Sequence, residues 1–182
     1  MTVVTIRPAL AGDIPVCATI EAVCYPPEVC EGLEFFQNFW EQHGSSCWVA
    51  TDPQQDVVGY AFALPTQFSQ CPMELNTNEN NSIDTNAVCV DTMYLHDVAV
   101  APQGRGRGIG TLLFQRVQEH ATISTTATTI TLTAVCGAWD YWKDRHGFRQ
   151  IKPPSRDAQL RLESYPKECG KVRMMQRQLD FC

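Results

Sequence analysis

A strand running into four glycines and then a helix constrains this 182-residue chain more than any other feature. Residues 95–113 read LHDVAVAPQGRGRGIGTLL, with Gly104, Gly106, Gly108 and Gly110 interleaved with Arg105 and Arg107. Glycine lets a backbone adopt left-handed conformations and approach a ligand closely. The first amides of a helix have no partner inside it, and the helix dipole adds positive potential there. Together they form a cradle for an anion such as a phosphate. Two common phosphate motifs are excluded by spelling. A P-loop needs Gly-Lys-Ser/Thr, and the first lysine of the chain is Lys143. The dinucleotide fingerprint needs glycines at i, i+2 and i+5, yet counting from Gly104 ends on Ile109 and from Gly106 on Thr111.

The flanking sequence sets the cradle in a mixed α/β chain. A strand at 3–6 leads to a helix at 13–24, with Asp13 as its cap, Pro15 in its first turn and Ile14, Cys17 and Ile20 at helical spacing. Tyr25-Pro26-Pro27 stops it. A second helix at 33–43 carries Phe35, Phe36, Phe39 and Trp40, a set that reads as core or as the lining of an aromatic pocket. Strands follow at 47–51 and 57–64, and again at 92–100. Past the cradle come a helix at 109–121, with Ile109, Leu112, Leu113 and Val117 inward, and a β-branched strand at 128–135. A short helix at 138–145 and strands at 148–152 and 171–179 complete the order β-α-α-β-β-β-α-β-α-β-β. Residues 65–91 are rich in Asn and read as a loop insertion, either gating a site or simply solvated. No repeat or linker divides the chain, so one domain over 1–182 is expected.

Composition narrows the function classes. With 14 basic and 20 acidic side chains, the formal charge of −6 argues against general binding to nucleic-acid backbones. No stretch approaches the ~18 apolar residues of a spanning helix. The first 25 residues, broken by Arg7, Asp13 and Glu21, are not a secretory signal. Nine cysteines lack zinc-site spacing, and their odd count does not demand a disulfide framework. A cytoplasmic protein with reduced thiols, no metal and no membrane or nucleic-acid partner is the expectation.

Val98-Ala99-Val100-Ala101-Pro102, followed by Arg105-Gly106-Arg107-Gly108-Ile109-Gly110 and an apolar helix, resembles motif A of the GNAT superfamily of N-acetyltransferases. That motif reads Gln/Arg-x-x-Gly-x-Gly/Ala. Arg105, Gly108 and Gly110 match it, as do Gln103, Gly106 and Gly108, and the spacing after Pro102 favours the Arg105 register. The resemblance extends to Thr5-Ile6-Arg7-Pro8, Val58-Gly59-Tyr60 and His146-Gly147-Phe148. The strand from Tyr94 to Val100, with Glu21 and Tyr25-Pro26-Pro27, is most similar to arylalkylamine N-acetyltransferase-like members. It implies a GNAT-like, mostly antiparallel central sheet flanked by helices. It also implies direct acetyl transfer from acetyl-CoA to a primary amine of a small molecule, of arylalkylamine or polyamine type. The backbone of Val98, Ala99 and Val100 would pair with the pantetheine arm. Arg105, Gly106, Arg107, Gly108, Ile109, Gly110 and Thr111 would hold the pyrophosphate.

The reaction must take a proton from the amine and return one to the thiolate. His96 is the candidate base, two residues before the pantetheine-pairing stretch, with Tyr94 where such family members carry another histidine. Strand alternation groups Tyr94, His96, Val98 and Val100 and turns Asp97 the other way, which argues against a catalytic Asp97. The family's acid is a tyrosine in Phe-Tyr-x-x-x-Gly-Phe, but counting back from Gly147 reaches Lys143 or Trp142. Tyr141 is then the nearest phenol, with Tyr165 and Tyr94 as others and water as a substitute. His43, His120 and His146 read as helix-end or surface residues. Rival readings are a protein N-terminal or lysine acetyltransferase and a non-catalytic acyl-CoA-binding regulator, in either case a monomer or homodimer.

Overall fold

The computed structural model describes residues 4–72 and 89–179, so most of the expected 65–91 insertion, residues 73–88, lies outside the described residues. Seven strands form one sheet in the order β1-β2-β3-β4-β5-β7-β6. They are β1 (Thr5–Pro8), β2 (Cys47–Thr51), β3 (Val57–Thr66), β4 (Thr92–Val100), β5 (Thr129–Ala134), β6 (Arg149–Gln150) and β7 (Arg173–Gln178). The α-helices are α1 (Ile14–Cys24), α2 (Gly32–His43), α3 (Ile109–Ser124), α4 (Trp139–His146) and α5 (Arg156–Glu163). This is the mixed, mostly antiparallel sheet flanked by helices that the resemblance implied. One element is added: α5 stands between the last two strands, where the sequence order had none. Its turn starts at Ser155, whose hydroxyl accepts from the Ala158 amide at 3.1 Å. No described helix is long and apolar enough to cross a membrane.

The chain forms two compact units. The first comprises Met1–Ala63 and Asp97–His120. Its strands β1, β2 and β3 pair antiparallel, Arg7 opposite Val49 and Val49 opposite Tyr60. Strand alternation sends successive β3 side chains to opposite faces. The ring of Tyr60 lies 5.4 Å from that of Phe36 on α2, while a Cβ on Gly59 would come within 3.4 Å of Ile109 and Leu113 on α3. Phe36 and Phe39 are buried, so this part of the aromatic set is core. Ile109, Leu113, Phe114 and Val117 form the buried stripe of α3; Leu112, expected inward, is 40% exposed because it falls off that stripe. Asp13 stands at the N-cap of α1, as expected, but its side chain makes no cap hydrogen bond there. Its carboxylate takes both ends of the Arg7 guanidinium at 2.6 and 2.9 Å and the Leu10 amide at 2.8 Å, which holds it below the usual carboxylate range.

The second unit comprises Leu64–His96 and Ala121–Cys182. Here β4 runs parallel to β5 from Thr92 opposite Thr129 to Leu95 opposite Leu132. Strand β7 is antiparallel to both β5 and β6. Buried threonine hydroxyls bridge the strands, Thr92 to Thr131 at 2.8 Å and to Thr129 at 2.9 Å, which satisfies polar groups that burial would otherwise penalise. Gly147 ends α4 in the left-handed conformation, φ 69°.

Candidate active site

The second half of β4 presents its backbone in a directional way. The Ala101 amide donates to the Val58 carbonyl at 3.0 Å, and a Cβ on Gly59 would meet the Ala99 carbonyl at 2.9 Å. Ala99 and Ala101 therefore turn their backbone groups toward β3. Successive peptide groups along a strand point to opposite edges, so Val98 and Val100 turn theirs away from it. On that outer edge the Tyr25 hydroxyl donates to the Val98 carbonyl at 3.0 Å. The Val100 carbonyl accepts from the Cys24 thiol at 3.4 Å and from Arg105 Nε at 3.3 Å.

Beyond Val100 the glycines divide into two kinds. Gly104 is required by crowding: a Cβ would sit 3.1 Å from Val100, 3.2 Å from Ile109 and 3.3 Å from the Val58 carbonyl. Gly106 and Gly108 have open space around them but take φ of +76° and +74°, which side-chain-bearing residues resist. The Leu112 amide bonds the Gly108 carbonyl at 3.1 Å, in the first turn of α3. The amides of Ile109, Gly110 and Thr111 therefore belong to the open N-terminus of a 16-residue helix. Arg105 and Arg107 are exposed beside it. The residues expected to grip a pyrophosphate thus form one continuous turn, and they fit such a group through amides, dipole and charge.

Next to the Val98 edge lies a polar cluster. The carboxylate of Asp97 accepts from the Tyr25 hydroxyl at 2.9 Å and from the Tyr60 hydroxyl at 2.5 Å. Tyr60 is fully buried, and burial together with Asp97 pushes its phenol well above the ordinary value. Glu21, on α1, is 2% exposed and accepts the amides of Glu31 at 2.7 Å and Gly32 at 3.0 Å, at the start of α2. Burial outweighs those two bonds and pushes its carboxyl up to about 7, with Asp97 adding to the rise. The Cys30 thiol, bonded to the Pro26 carbonyl at 3.4 Å, is pushed up to about 11 by burial and by the same acids.

The expected proton-transfer residues lie in the second unit. His96 is partly exposed on β4, its ring 6.2 Å from that of Tyr94. Tyr94 is 1% exposed, its hydroxyl lies 2.9 Å from the Thr133 hydroxyl, and burial pushes its phenol well up. Tyr141 is exposed on α4, packed edge-on against Trp142 at 5.1 Å and His146 at 5.0 Å. His146 stands at a helix end as expected but is buried, not at the surface; burial and nearby arginines push it down to about 4. His120 is likewise half-buried, its Nε2 lying 3.1 Å from the Ser46 hydroxyl.

Residues 15–148 match the acetyltransferase (GNAT) family, well over half of the chain. The chain belongs to the GNAT family. Among solved structures it is similar to a GNAT-like decarboxylase, GphF, in complex with isobutyryl-CoA. The two share 16% identity and a TM-score of 0.69 over 97% of this chain and 100% of that one. It is also similar to Ard1 from Thermoplasma volcanium, at 14% identity and TM-score 0.69 over 98% and 99% of the two chains. A histone acetyltransferase HPA2 and related acetyltransferase from Corynebacterium glutamicum gives 20% identity and 0.62 over 100% and 99%. No curated protein matches the chain. Likeness at these identities establishes fold, and the activities these proteins are named for differ, so the choice of acceptor rests on this GNAT chain's own residues.

Within that family frame, the setting of Asp97 is the part of this region that the sequence does not show. Alternation places it opposite to His96, which is sound for a strand, but it says nothing of what occupies the other face. Tyr60 and Tyr25 occupy it. The one local signal was Glu21 on the apolar stripe of α1, a buried acid that needs partners. Among the described residues no group of three or more His, Cys, Asp or Glu stands ready to hold a metal.

Proposed function

We propose that the chain is an N-acetyltransferase, a single domain over 1–182, that moves an acetyl group from acetyl-CoA to a primary amine of a small molecule, of arylalkylamine or polyamine type. The observation that carries this reading is the outward edge of Val98 and Val100 leading directly into the positive-φ glycine turn and the open amides of α3. An extended amide-bearing arm would lie along Val98, Ala99 and Val100 as an added strand, pairing with the outward groups of Val98 and Val100 while Ala99 holds the stretch to β3. Arg105, Gly106, Arg107, Gly108, Ile109, Gly110 and Thr111 would hold the pyrophosphate at its end. Acetyl-CoA supplies the activated acyl group. His96, partly exposed on β4 two residues before the Val98 edge, takes the proton that the amine must lose. Tyr141, exposed on α4, protonates the departing thiolate, with Tyr94, its hydroxyl 2.9 Å from that of Thr133, as the other candidate phenol.

The protein is read as a cytoplasmic monomer or homodimer; the eight cysteines within the described residues are free thiols, as a reducing compartment keeps them. The test is thiol release from acetyl-CoA with a panel of arylalkylamines, polyamines, amino acids and short peptides. Turnover confined to small amines is expected. Preference for peptides would make the chain a protein N-terminal or lysine acetyltransferase instead. Tight acetyl-CoA binding without transfer would make it a regulator, and absence of both would remove the reading.

A further inference from the structure

The β5–β7 ladder leads, at its open end, to two cysteines of the second unit. Ala134 lies opposite Arg173, and beyond that pair the two chains stay joined by the Cys136 amide, which donates to the Cys169 carbonyl at 2.7 Å. A hydrogen-bonded antiparallel pair holds its α-carbons about 5.5 Å apart. A disulfide spans about 4.4–6.8 Å between α-carbons, so the backbone already sits at bridging distance. Each cysteine is followed by a glycine at positive φ, Gly137 at 77° and Gly170 at 65°, and Cys136 itself takes 52°. A side-chain-bearing residue in that region is held there by its surroundings, here the turns on either side of the shared bond. Both thiols are free. Cys136 is exposed, whereas Cys169 is fully buried. The two also sense each other: burial, followed by the neighbouring Cys136 thiol, pushes Cys169 up to about 11. Burial raises the Cys136 thiol as well. Thiols of this kind attack slowly but are poor leaving groups, so a disulfide between them forms slowly and resists reduction.

We propose that Cys136 and Cys169 close an oxidation-dependent disulfide that fastens residues 136–169, the stretch holding α4, β6 and α5, into one covalent loop. The oxidant is a small-molecule disulfide. The exposed Cys136 thiol loses its proton and attacks one sulfur of that disulfide; the S–S bond breaks and the departing thiolate takes up a proton. Cys169 then gives up its proton and attacks the Cys136 sulfur of the mixed disulfide, expelling the second small thiol. Two protein sulfurs are oxidised, one small disulfide is reduced to two thiols, and the two protein protons end on them. In a reducing compartment the pair stays open, and it closes when the thiol pool turns oxidising. Closure stabilises the fold by removing conformational freedom from the unfolded chain. The inference is independent of the acetyl-transfer reading and of its acceptor.

The experiment treats the full chain with oxidised glutathione, blocks the remaining thiols with N-ethylmaleimide and maps the peptides by mass spectrometry. The expected main cross-link joins the Cys136 and Cys169 peptides with the loss of two hydrogens. In Cys169→Ser the Cys136 peptide should carry glutathione, and in Cys136→Ser the Cys169 peptide should stay reduced. Oxidation should lower the unfolding constant of the wild type about a hundredfold in urea and leave that of Cys136→Ser unmoved. Equal urea midpoints of reduced wild type and reduced Cys136→Ser serve as the control for folding. Should the buried substitution Cys169→Ser not fold, the wild type and Cys136→Ser decide the matter alone. Cys136 that stops at the mixed disulfide in the wild type, or that links to another cysteine, would overturn the pairing. An oxidised wild type whose midpoint does not move would overturn the fastening.

Discussion

The glycine turn from Gly104 to Gly110 and the cluster of Glu21, Tyr25, Tyr60 and Asp97 share one compact unit but are built on opposite plans. The turn is specified by residues within a single short stretch: two positive-φ glycines, one crowded glycine and a helix start. The cluster is assembled from α1, the segment after it, β3 and β4, and its geometry exists only when these elements have packed. A locally written site fails locally. A site made by packing couples its chemistry to the stability of the fold, because each of its groups also satisfies a neighbour. Substitutions in the two regions should therefore separate cofactor affinity from stability.

The strongest break in that contrast is Gly108→Val. A β-branched residue at φ +74° is strained, and relieving the strain moves the amides that open α3. Acetyl-CoA affinity measured by calorimetry is expected to fall about a hundredfold, roughly 3 kcal/mol. The Kd for an arylalkylamine such as phenethylamine is expected to change little. If the cofactor Kd moved less than fivefold, the turn would not be the anion cradle.

Glu21→Ala should act in the reverse sense, sparing the cradle and costing stability. It leaves the amides of Glu31 and Gly32 without their acceptor at the start of α2. A loss of about 2 kcal/mol in urea unfolding is expected from one stripped helix start. The measurement is the shift in midpoint with unchanged slope.

These two regions also explain what was legible. The strand from Thr92 to Val100 and the helix start at Ile109 lie where local pattern puts them, since glycine conformation and apolar spacing are local quantities. The error at Leu112 is one of rotation: at 3.6 residues per turn, the stripe through Ile109, Leu113 and Val117 recruits Phe114 instead. Helix α5 was hidden because it buries only Ala158 and follows Pro153-Pro154, so neither apolar period nor a breaker-free run marks it. Asp97 was hidden for a different reason. A strand's alternation tells which way a side chain turns, but the tyrosines that meet it lie 72 and 37 positions away. Packing contacts of that range have no local signature.

A smaller effect distinguishes the two buried titrating groups. Glu21 has its folded value raised to about 7 from 4.5, so its stabilising contribution is whole below the unfolded value and is lost as pH rises through 7. His146 has its value lowered to about 4 from 6.5, so its contribution is whole above 6.5 and is lost as pH falls through 4. Between pH 4.5 and 6.5 the two contributions change in opposite directions and nearly cancel. Urea unfolding of the wild type should therefore give an almost flat profile there, and Glu21→Gln should expose a rise in stability with pH that His146 supplies. A profile that stays flat in Glu21→Gln would assign the balance to other groups.

The smallest expected effect returns to the cradle. Arg105 is exposed, and its guanidinium rests on the Val100 carbonyl at 3.3 Å and the Cys24 sulfur at 3.5 Å. Exposed charges contribute little once salt screens them, whereas amides fixed by glycine conformation do not depend on salt. Arg105→Ala is therefore expected to weaken acetyl-CoA binding only about threefold at low ionic strength, with the difference vanishing near 0.5 M salt. Arg105 and Gly108 occupy the same turn, so measuring both across a salt series divides its affinity between charge and backbone. A loss from Arg105→Ala that matched Gly108→Val and survived salt would mean that the guanidinium, not the glycine geometry, makes the site.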